Sequence, residues 1–578
     1  MSSVSPSFDL VAIGRVSVDL YGQQIGSRLE DVMTFARAVG GCPANVAIGA
    51  ARLALKAALI TRVGDEPMGR FVREQLAREG VDTRGVHVDA QRLTPLVLLS
   101  VRDADSFPLL FYRENCADGA LAPGDVAEEL IAAARAVLVT GTHFSFASGA
   151  GAQRRAIDLA RAHGRKVILD IDYRPNLWGI GGHDAGESRY ARSARVTAAL
   201  AGVLPDCDLI VGTEEEMHIA AGAEDTLEAV RRIRAHSAAV IVVKRGAAGC
   251  IVFAAGAPAH LEDGLIVAGM PIEVYNVLGA GDAFLAGFLR GYLRDESHEK
   301  SARYGNACGA IAVSRLLCSP EFPSLAELEH YLAHGSPQRA LRFDADLNHL
   351  HWVTTARHGP ASVCALATNA EPGITAAAEA VALHEGVGVL LEVGTGARAR
   401  REAQRQGLWV AQRVAQEDPA CFSEWPSGVA VTCRCGSRPA ADEALRRRGE
   451  RALRRILAQC RAQGRELVIE VDAGEPAATI AHLYGLGIRP DWWALGPGAG
   501  SATLGDCARA IAAGDAYCRG LLVIADDPPG QAVEQVRAAA ASPIVRGFIA
   551  GGSMAAQAQA AAHFRALIMA WKRAKDGH

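Results

Sequence analysis

Short apolar runs recur along the chain, and stretches of helical periodicity separate them. Residues 8–14 form a compact apolar run closed by Gly14, the pattern of a buried strand. Residues 43–55 are Ala-rich, follow a Gly-Gly pair and predict a helix. Residues 56–63 predict the next strand, and residues 69–79 an amphipathic helix. Further apolar runs lie at 136–140, 166–172, 209–212 and 240–244. Helical stretches lie between them, and this βαβ alternation argues for a mostly parallel sheet covered on both faces. The first half therefore reads as α/β. One stretch departs from this pattern. Residues 95–101 and 108–112 are β-rich runs flanking the segment 102–107, which holds Asp103, Asp105 and Ser106. They predict an antiparallel hairpin, a small β lid over a site.

After Tyr331 the character changes. Residues 333–342, AHGSPQRALR, are polar and turn-rich. The expected division is a first domain over 1–335, a linker over 336–348 and a second domain over 349–578. In the second domain apolar runs return at 361–367, 388–392, 407–410, 428–433, 466–471, 492–495, 520–524 and 544–550. Eight βα-like repeats predict a (β/α)8 barrel.

Composition narrows the function classes. A length of 578 residues suits two to four domains. With 50% apolar and 21% charged residues, the chain is neither disordered nor fibrous. A net charge of −4 excludes a globally basic nucleic-acid binder. No apolar run approaches the ~20 residues of a spanning helix. The first residues lack a basic stretch followed by an apolar one, so no signal peptide is expected. A soluble, cytoplasmic protein follows, with neither nucleic acid nor membrane as partner. The 13 cysteines show no disulfide-like spacing, and Cys433 and Cys435 have no partner at zinc-site spacing. Reduced thiols are expected. Lysine is scarce: Lys56, Lys166, Lys244, Lys300, Lys572 and Lys575 stand beside 54 arginines. Codon bias accounts for the overall skew. The gap between Lys300 and Lys572 nevertheless excludes any amine nucleophile from that stretch.

The chemistry concentrates first at residues 274–293, VYNVLGAGDAFLAGFLRGYL. Gly279, Ala280 and Gly281 precede Asp282 and a nearly all-apolar helix. Small residues at a helix N-terminus leave its amides open to an anion. Asp282 in the first turn is either a capping acid or a general base beside that anion site. The small residues and the buried helix favour the second. A carboxylate beside an anion hole suits phosphoryl transfer to a hydroxyl.

GAGDAFLAGF, with Gly40-Gly41-Cys42-Pro43-Ala44-Asn45 in the first half, resembles the two signatures of the ribokinase-like (phosphofructokinase-B-type) carbohydrate kinases. The resemblance implies a ribokinase-like parallel sheet with a β lid, and ATP and Mg2+ as cofactors. It makes Asp282 the general base and gives the γ-phosphate to the amides of Ala280, Gly281 and Asp282. Thr213-Glu214-Glu215-Glu216 matches the family's N-x-x-E motif. Glu216 is the acid that acts on the magnesium through water, and Thr213 stands where the family has Asn. Residues 244–249 match the loop approaching the nucleotide, so Lys244, Gly246 and Gly249 are expected at the cofactor. Asn306 lies where the family packs a helix against adenine. Asp19 matches the acid that binds sugar hydroxyls, with Gly41 and Asn45 lining the same pocket. An acidic sugar needs a cation for its carboxylate. The candidates are Arg113 in FYRENCAD and Arg174 in DIDYRPNLW; each could instead pair with a nearby acid such as Glu114 or Asp172. Those segments, together with YGQQIG, resemble the members that phosphorylate the 6-hydroxyl of a keto-deoxy sugar acid. Alternatives are a kinase of 2-keto-3-deoxygluconate, a fructose phosphate or another sugar, a bifunctional kinase and aldolase, or a non-enzymatic sugar-phosphate sensor or scaffold. A homo-oligomer is expected.

Residues 345–578 resemble the aldolase-like domain that such kinases carry, on GLGIRPDWW and PIVRGF. The implied reaction is cleavage of the phosphorylated keto-acid through a lysine Schiff base. Here the double Trp is followed by Ala494-Leu495-Gly496-Pro497, where the family has Lys-Leu-Glu-Pro. The late strand ends in Gly551-Gly552 rather than Gly-Arg, and the strand that carries lysine in the family reads GVAVTC at 428–433. His349, His351 and His358 lie close together in sequence without an acid at ligand spacing. A catalytically silent barrel is expected.

Overall fold

The computed structural model describes residues 6–103, 106–183, 190–356, 359–415, 422–435, 443–472, 474–498, 500–525, 529–551 and 557–576. The chain forms two compact units, Met1–Thr355 and Ala356–His578. The segment predicted as a linker, 336–348, thus lies within the first unit, and so do His349 and His351. Leu341 and Leu347 are buried in one cluster with Phe322 and Leu328. The helix Ala345–Thr355 is further clamped through His351, whose Nδ1 lies 3.0 Å from Glu327 Oε2. Polar turn residues at 333–342 mask these anchors in the sequence.

The first unit is built on a nine-stranded sheet. Its order is Leu265–Val267, Cys250–Phe253, Val240–Lys244, Leu209–Thr213, Lys166–Asp170, Ala134–Thr140, Phe8–Ile13, Ala57–Gly64, Val86–Asp89. From Val240–Lys244 onward the pairing is parallel, and the first two strands are antiparallel additions. The central strands are apolar and covered on both faces. Val11, Val137 and Leu169 face one core, and Leu10, Leu138 and Ile168 face the other.

The predicted hairpin exists as Leu96–Leu99 against Leu109–Tyr112, in register from Leu96↔Tyr112 to Leu99↔Leu109. It is half of a four-stranded sheet that adds Ser17–Gly22 and Phe35–Gly40. The hydrophobic pattern does not reveal these two strands. Both are short, carry polar or small residues and are not joined to each other by a tight turn.

The second unit is a closed barrel of eight parallel strands: Val363–Thr368, Val387–Leu391, Trp409–Arg413, Val429–Arg434, Leu467–Val471, Trp492–Leu495, Gly520–Ala525 and Val545–Ala550. Successive side chains alternate between the lumen and the outer helices. Trp492 packs inside with Trp409 and Leu522. Trp493 points outward, donating its indole N–H to Tyr484 Oη at 2.7 Å. Among the described residues no helix is long and apolar enough to cross a membrane.

Candidate active site

The parallel strands of the first unit deliver their C-terminal ends to one cleft, the usual place for ligands in open α/β sheets. Asp170 ends one strand with Asp172 just beyond it, Thr213 ends a second and Lys244 ends a third. These residues, with Glu216, Arg174, Gly246 and the turn Gly279–Asp282, line a cavity of about 620 Å³. Phe107 and Val277 supply apolar wall.

The turn before the helix Ala280–Tyr292 requires glycine at Gly279. Gly279 has φ 81°, and a Cβ there would lie 2.0 Å from Cys318 Sγ. A Cβ on Gly281 would lie 3.1 Å from Lys244 Nζ, so the ammonium reaches directly over this turn. The Ala280 N–H is turned back to the Val277 carbonyl at 3.3 Å. The expected triplet of anion-binding amides thus reduces to Gly281 and Asp282, whose N–H groups in the first helical turn lack intrahelical acceptors.

Asp282 is half-buried and accepts a hydrogen bond from Asn45 Nδ2 at 2.8 Å, joining the two sequence motifs. Burial, then the charge of Asp172, pushes the Asp282 carboxyl above the usual range; Asn45 and Arg15 pull the other way. Asp172 is itself held low, burial notwithstanding, by the guanidinium of Arg15. That pair is buried and forked, with Nε at 3.2 Å and Nη2 at 3.0 Å from the carboxylate. Asp170 receives Lys244 Nζ at 3.4 Å and the Cys42 thiol at 3.5 Å. Burial and the neighbouring acids hold Asp170 high while Lys244 opposes them. The donor atoms of Cys42, Asp170 and Asp282 lie within 4.8 Å of one another. Arg15, Cys42, Asp170 and Asp172 are absent from the sequence reading as site residues. No local motif marks them, although DIDYRPNLW contains two.

The remaining expected cofactor residues divide. Thr213 caps the helix Glu214–Ala221: its hydroxyl accepts Glu216 N–H at 3.2 Å, and Glu216 Oε2 accepts Thr213 N–H at 2.8 Å. Glu216 Oε1 accepts Tyr173 N–H at 3.1 Å, and Lys244 Nζ stands 3.9 Å from the carboxylate. Glu216 is therefore fixed by backbone while still lining the cavity. Gly246 lines it too. Gly249 does not; its φ of 91° serves a close backbone approach, where a Cβ would meet Val267 O at 2.1 Å. Asn306 commits its amide to the carbonyls of Val267 and Ala268, at 3.1 and 2.9 Å, rather than to the cavity.

The residues expected to bind sugar form a second group. Asp19 is buried beside Gly40, where a Cβ would lie 2.1 Å from its carboxylate, and accepts the Ser17 hydroxyl at 2.7 Å. Burial pushes its pKa up to about 6, against the pull of Ser17, Arg15 and Arg113. Gly41 has φ 96°, and a Cβ would lie 2.6 Å from Arg15 O. Arg113 pairs with Asp118 rather than with Glu114. Arg174 lines the cavity with Nη1 on Tyr173 O at 3.2 Å, while Asp172 is taken by Arg15.

In the barrel, the strand ends that would carry catalytic groups are filled by charge pairs. Arg413 bonds Glu392 and Glu470, the latter at 2.6 Å, and Arg434 bonds Glu470 at 3.1 Å. Lys572 and Lys575 lie on the outer helix Gln557–Asp576, bonded to the carbonyls of Leu383 and Ser542 at 3.0 and 3.3 Å. Gly552 and His358 fall outside the described residues.

Residues 7–325 match the model of the pfkB family carbohydrate kinases. Residues 371–568 match DUF2090, an uncharacterized family conserved in bacteria. Curated relatives include 5-dehydro-2-deoxygluconokinase of Geobacillus kaustophilus (strain HTA426), 34% identical over 332 residues, which are 56% of this chain and 93% of the relative. The enzyme of that name from Bacillus subtilis (strain 168) is 30% identical over 332 residues, 56% of this chain and 96% of the relative. A putative ribokinase II from E. coli, solved in complex with ATP and Mg2+, shares the fold at TM-score 0.50 and 23% identity, over 57% of this chain and 99% of that one. The chain belongs to the pfkB family of carbohydrate kinases.

Proposed function

We propose that the first unit phosphorylates the 6-hydroxyl of 5-dehydro-2-deoxy-D-gluconate with ATP, a step of myo-inositol breakdown. The observation that carries the kinase chemistry is the Asn45–Asp282 hydrogen bond at the mouth of the Gly279–Gly281 turn. It sets a carboxylate of raised pKa beside open helix amides. Asp282 takes the proton of the acceptor hydroxyl as its oxygen attacks the γ-phosphorus, and the bond from that phosphorus to the bridging oxygen breaks to release ADP. The amides of Gly281 and Asp282, with Lys244 Nζ, offset charge on the transferring group. Asp19 holds sugar hydroxyls, and Arg113 and Arg174 are the partners of the carboxylate. The names of the curated relatives support the choice of substrate.

The cleft fits a magnesium nucleotide. Asp170, Glu216 and Asp282 face a cavity where a glycine turn admits a phosphate and a lysine stands over it. Glu216 would hold the ion through water, and Asp170 offers a second oxygen. When bound, magnesium neutralises phosphate charge.

The test is a panel of keto-deoxy acids and neutral sugars with ATP and magnesium. Asp282→Asn is expected to lower kcat about 10²–10⁴-fold with little change in sugar binding. Near-normal turnover removes the proposed base.

For the barrel we propose a catalytically silent aldolase relative. Its scarcity of lysine and the neutralised cluster around Glu470 support that reading.

A further inference from the structure

Arg113 directly follows the lid strand Leu109–Tyr112, and its side chain is 5% exposed. Its Nη2 donates to Asp118 Oδ2. The same oxygen accepts the N–H of Val16 at 3.1 Å. Val16 precedes the strand Ser17–Gly22 that carries Asp19. Asp118 thus ties the lid arginine to the strand of the sugar-binding acid, and its own side chain is 1% exposed.

The geometry of this pair is unlike that of its neighbours. Four other arginines of the first unit present a fork to their acids among the described residues. Arg15 does so to Asp172, Arg28 to Asp31, Arg52 to Glu79 and Arg62 to Asp125, each through Nε and Nη2. In each of these four pairs the acid takes the fork. Arg113 is held by one end. Its Nε and Nη1 are buried and have no acceptor among the described residues. Asp118 Oδ1 and both ring nitrogens of His143 are likewise unpartnered among the described residues. Burial holds His143 at about 4, so the ring is neutral near neutral pH and brings no rival charge to Asp118. Buried donors are nearly always satisfied. A guanidinium with a free edge lacks an acceptor of matching shape, and a carboxylate has that shape.

We propose that Asp118 is the positioning residue of the sugar-acid subsite, holding Arg113 by one end so that its free edge receives the substrate carboxylate. This rests on the reading of the first unit as a sugar-acid kinase. Asp118 touches no reacting atom. It immobilises a long side chain before substrate arrives, which lowers the ordering cost of binding. Its effect therefore falls on KM and on the choice between acidic and neutral sugars, and not on the chemical step.

The experiment compares the full chain with its Asp118→Asn, Asp118→Glu and Arg113→Ala variants at saturating Mg-ATP. The probes are the keto-deoxy acid and a neutral analogue carrying hydroxymethyl in place of carboxylate. Asp118→Asn is expected to raise KM for the acid about tenfold or more, with kcat within about threefold and KM for the analogue unchanged. Asp118→Glu keeps the charge but moves it by one methylene, and should raise the same KM. In the Arg113→Ala background, Asp118→Asn should add nothing further. Thermal unfolding reports any general loss of structure. An unchanged acid KM, or equal rises for acid and analogue, overturns the positioning role. Absence of acid turnover in the unsubstituted enzyme overturns the sugar-acid reading itself, and the positioning role with it.

Discussion

At Asp282 the effect of surroundings on one carboxylate can be read as a rate. Burial and Asp172 raise its pKa, and the general base proposed at this position works only when deprotonated. Activity is therefore lost as pH falls through the raised value, on an acid limb above the ordinary Asp pKa of about 4. Asp172→Asn removes the like charge and frees Arg15, and both changes lower the Asp282 pKa. The acid limb of kcat/KM against pH should then move downward; an unmoved or raised limb would contradict this electrostatic account. Asp282 and Asn45 were legible in the sequence because each sits in a compact motif. Arg15 and Asp172 were not, since 157 residues separate the partners of a pair whose purpose appears only when two strand ends meet. Asn306 shows the converse. Its position matched the family, but its amide is used by backbone carbonyls, a commitment no motif records.

Among elements, the helices Leu325–His334 and Ala345–Thr355 show how a boundary is fixed by chemistry rather than by composition. Glu327 is fully buried and is bonded by Arg315 and, from the second helix, by His351. Although burial alone would raise it, the charges of Arg315 and His351 bring Glu327 down to about 2 from an ordinary 4.5. A depressed carboxylate contributes stability that is complete above the unfolded pKa and is lost as pH falls toward the folded one. The window here runs from about 4.5 down to about 2. Glu327→Gln leaves Arg315 buried without its counter-charge and should cost about 3–5 kcal/mol. Denaturant unfolding near neutral pH measures the loss, which should shrink as pH falls through that window. A variant as stable as the parent would mean the clamp is not what joins residues 345–355 to the first unit. The sequence showed the apolar strands of the central sheet and the lid hairpin, because periodicity is local. It hid the lid's other two strands and this clamp, because both depend on partners distant in the chain.

For the whole molecule, the question is whether the barrel, proposed above to be a silent aldolase relative, lacks an amine able to form a Schiff base. The eight repeats were legible because each strand is a short apolar run between helices. The ionic cluster at the strand ends was not, since Glu392, Arg413, Arg434 and Glu470 come from four different strands or strand ends. That cluster fills the end of the barrel where a reacting carbonyl would sit, and Glu470 lies buried between two arginines. The lysines of the second unit, Lys572 and Lys575, point to carbonyls of the outer shell. A Schiff base forms only when an unprotonated amine reaches a ketone in a water-poor pocket. Neither lysine meets that condition: Lys572 is largely exposed, and Lys575, although burial and Arg546 lower its pKa, is bonded outside the lumen. Incubating the full chain with the phosphorylated keto-acid and borohydride should leave residues 356–578 without a reduced adduct, as read by peptide mass. Cleavage products should also be absent while phosphorylation by the first unit proceeds. An adduct on Lys572 or Lys575, or aldol cleavage that Lys572→Met or Lys575→Met abolishes, would overturn the proposal of a silent barrel.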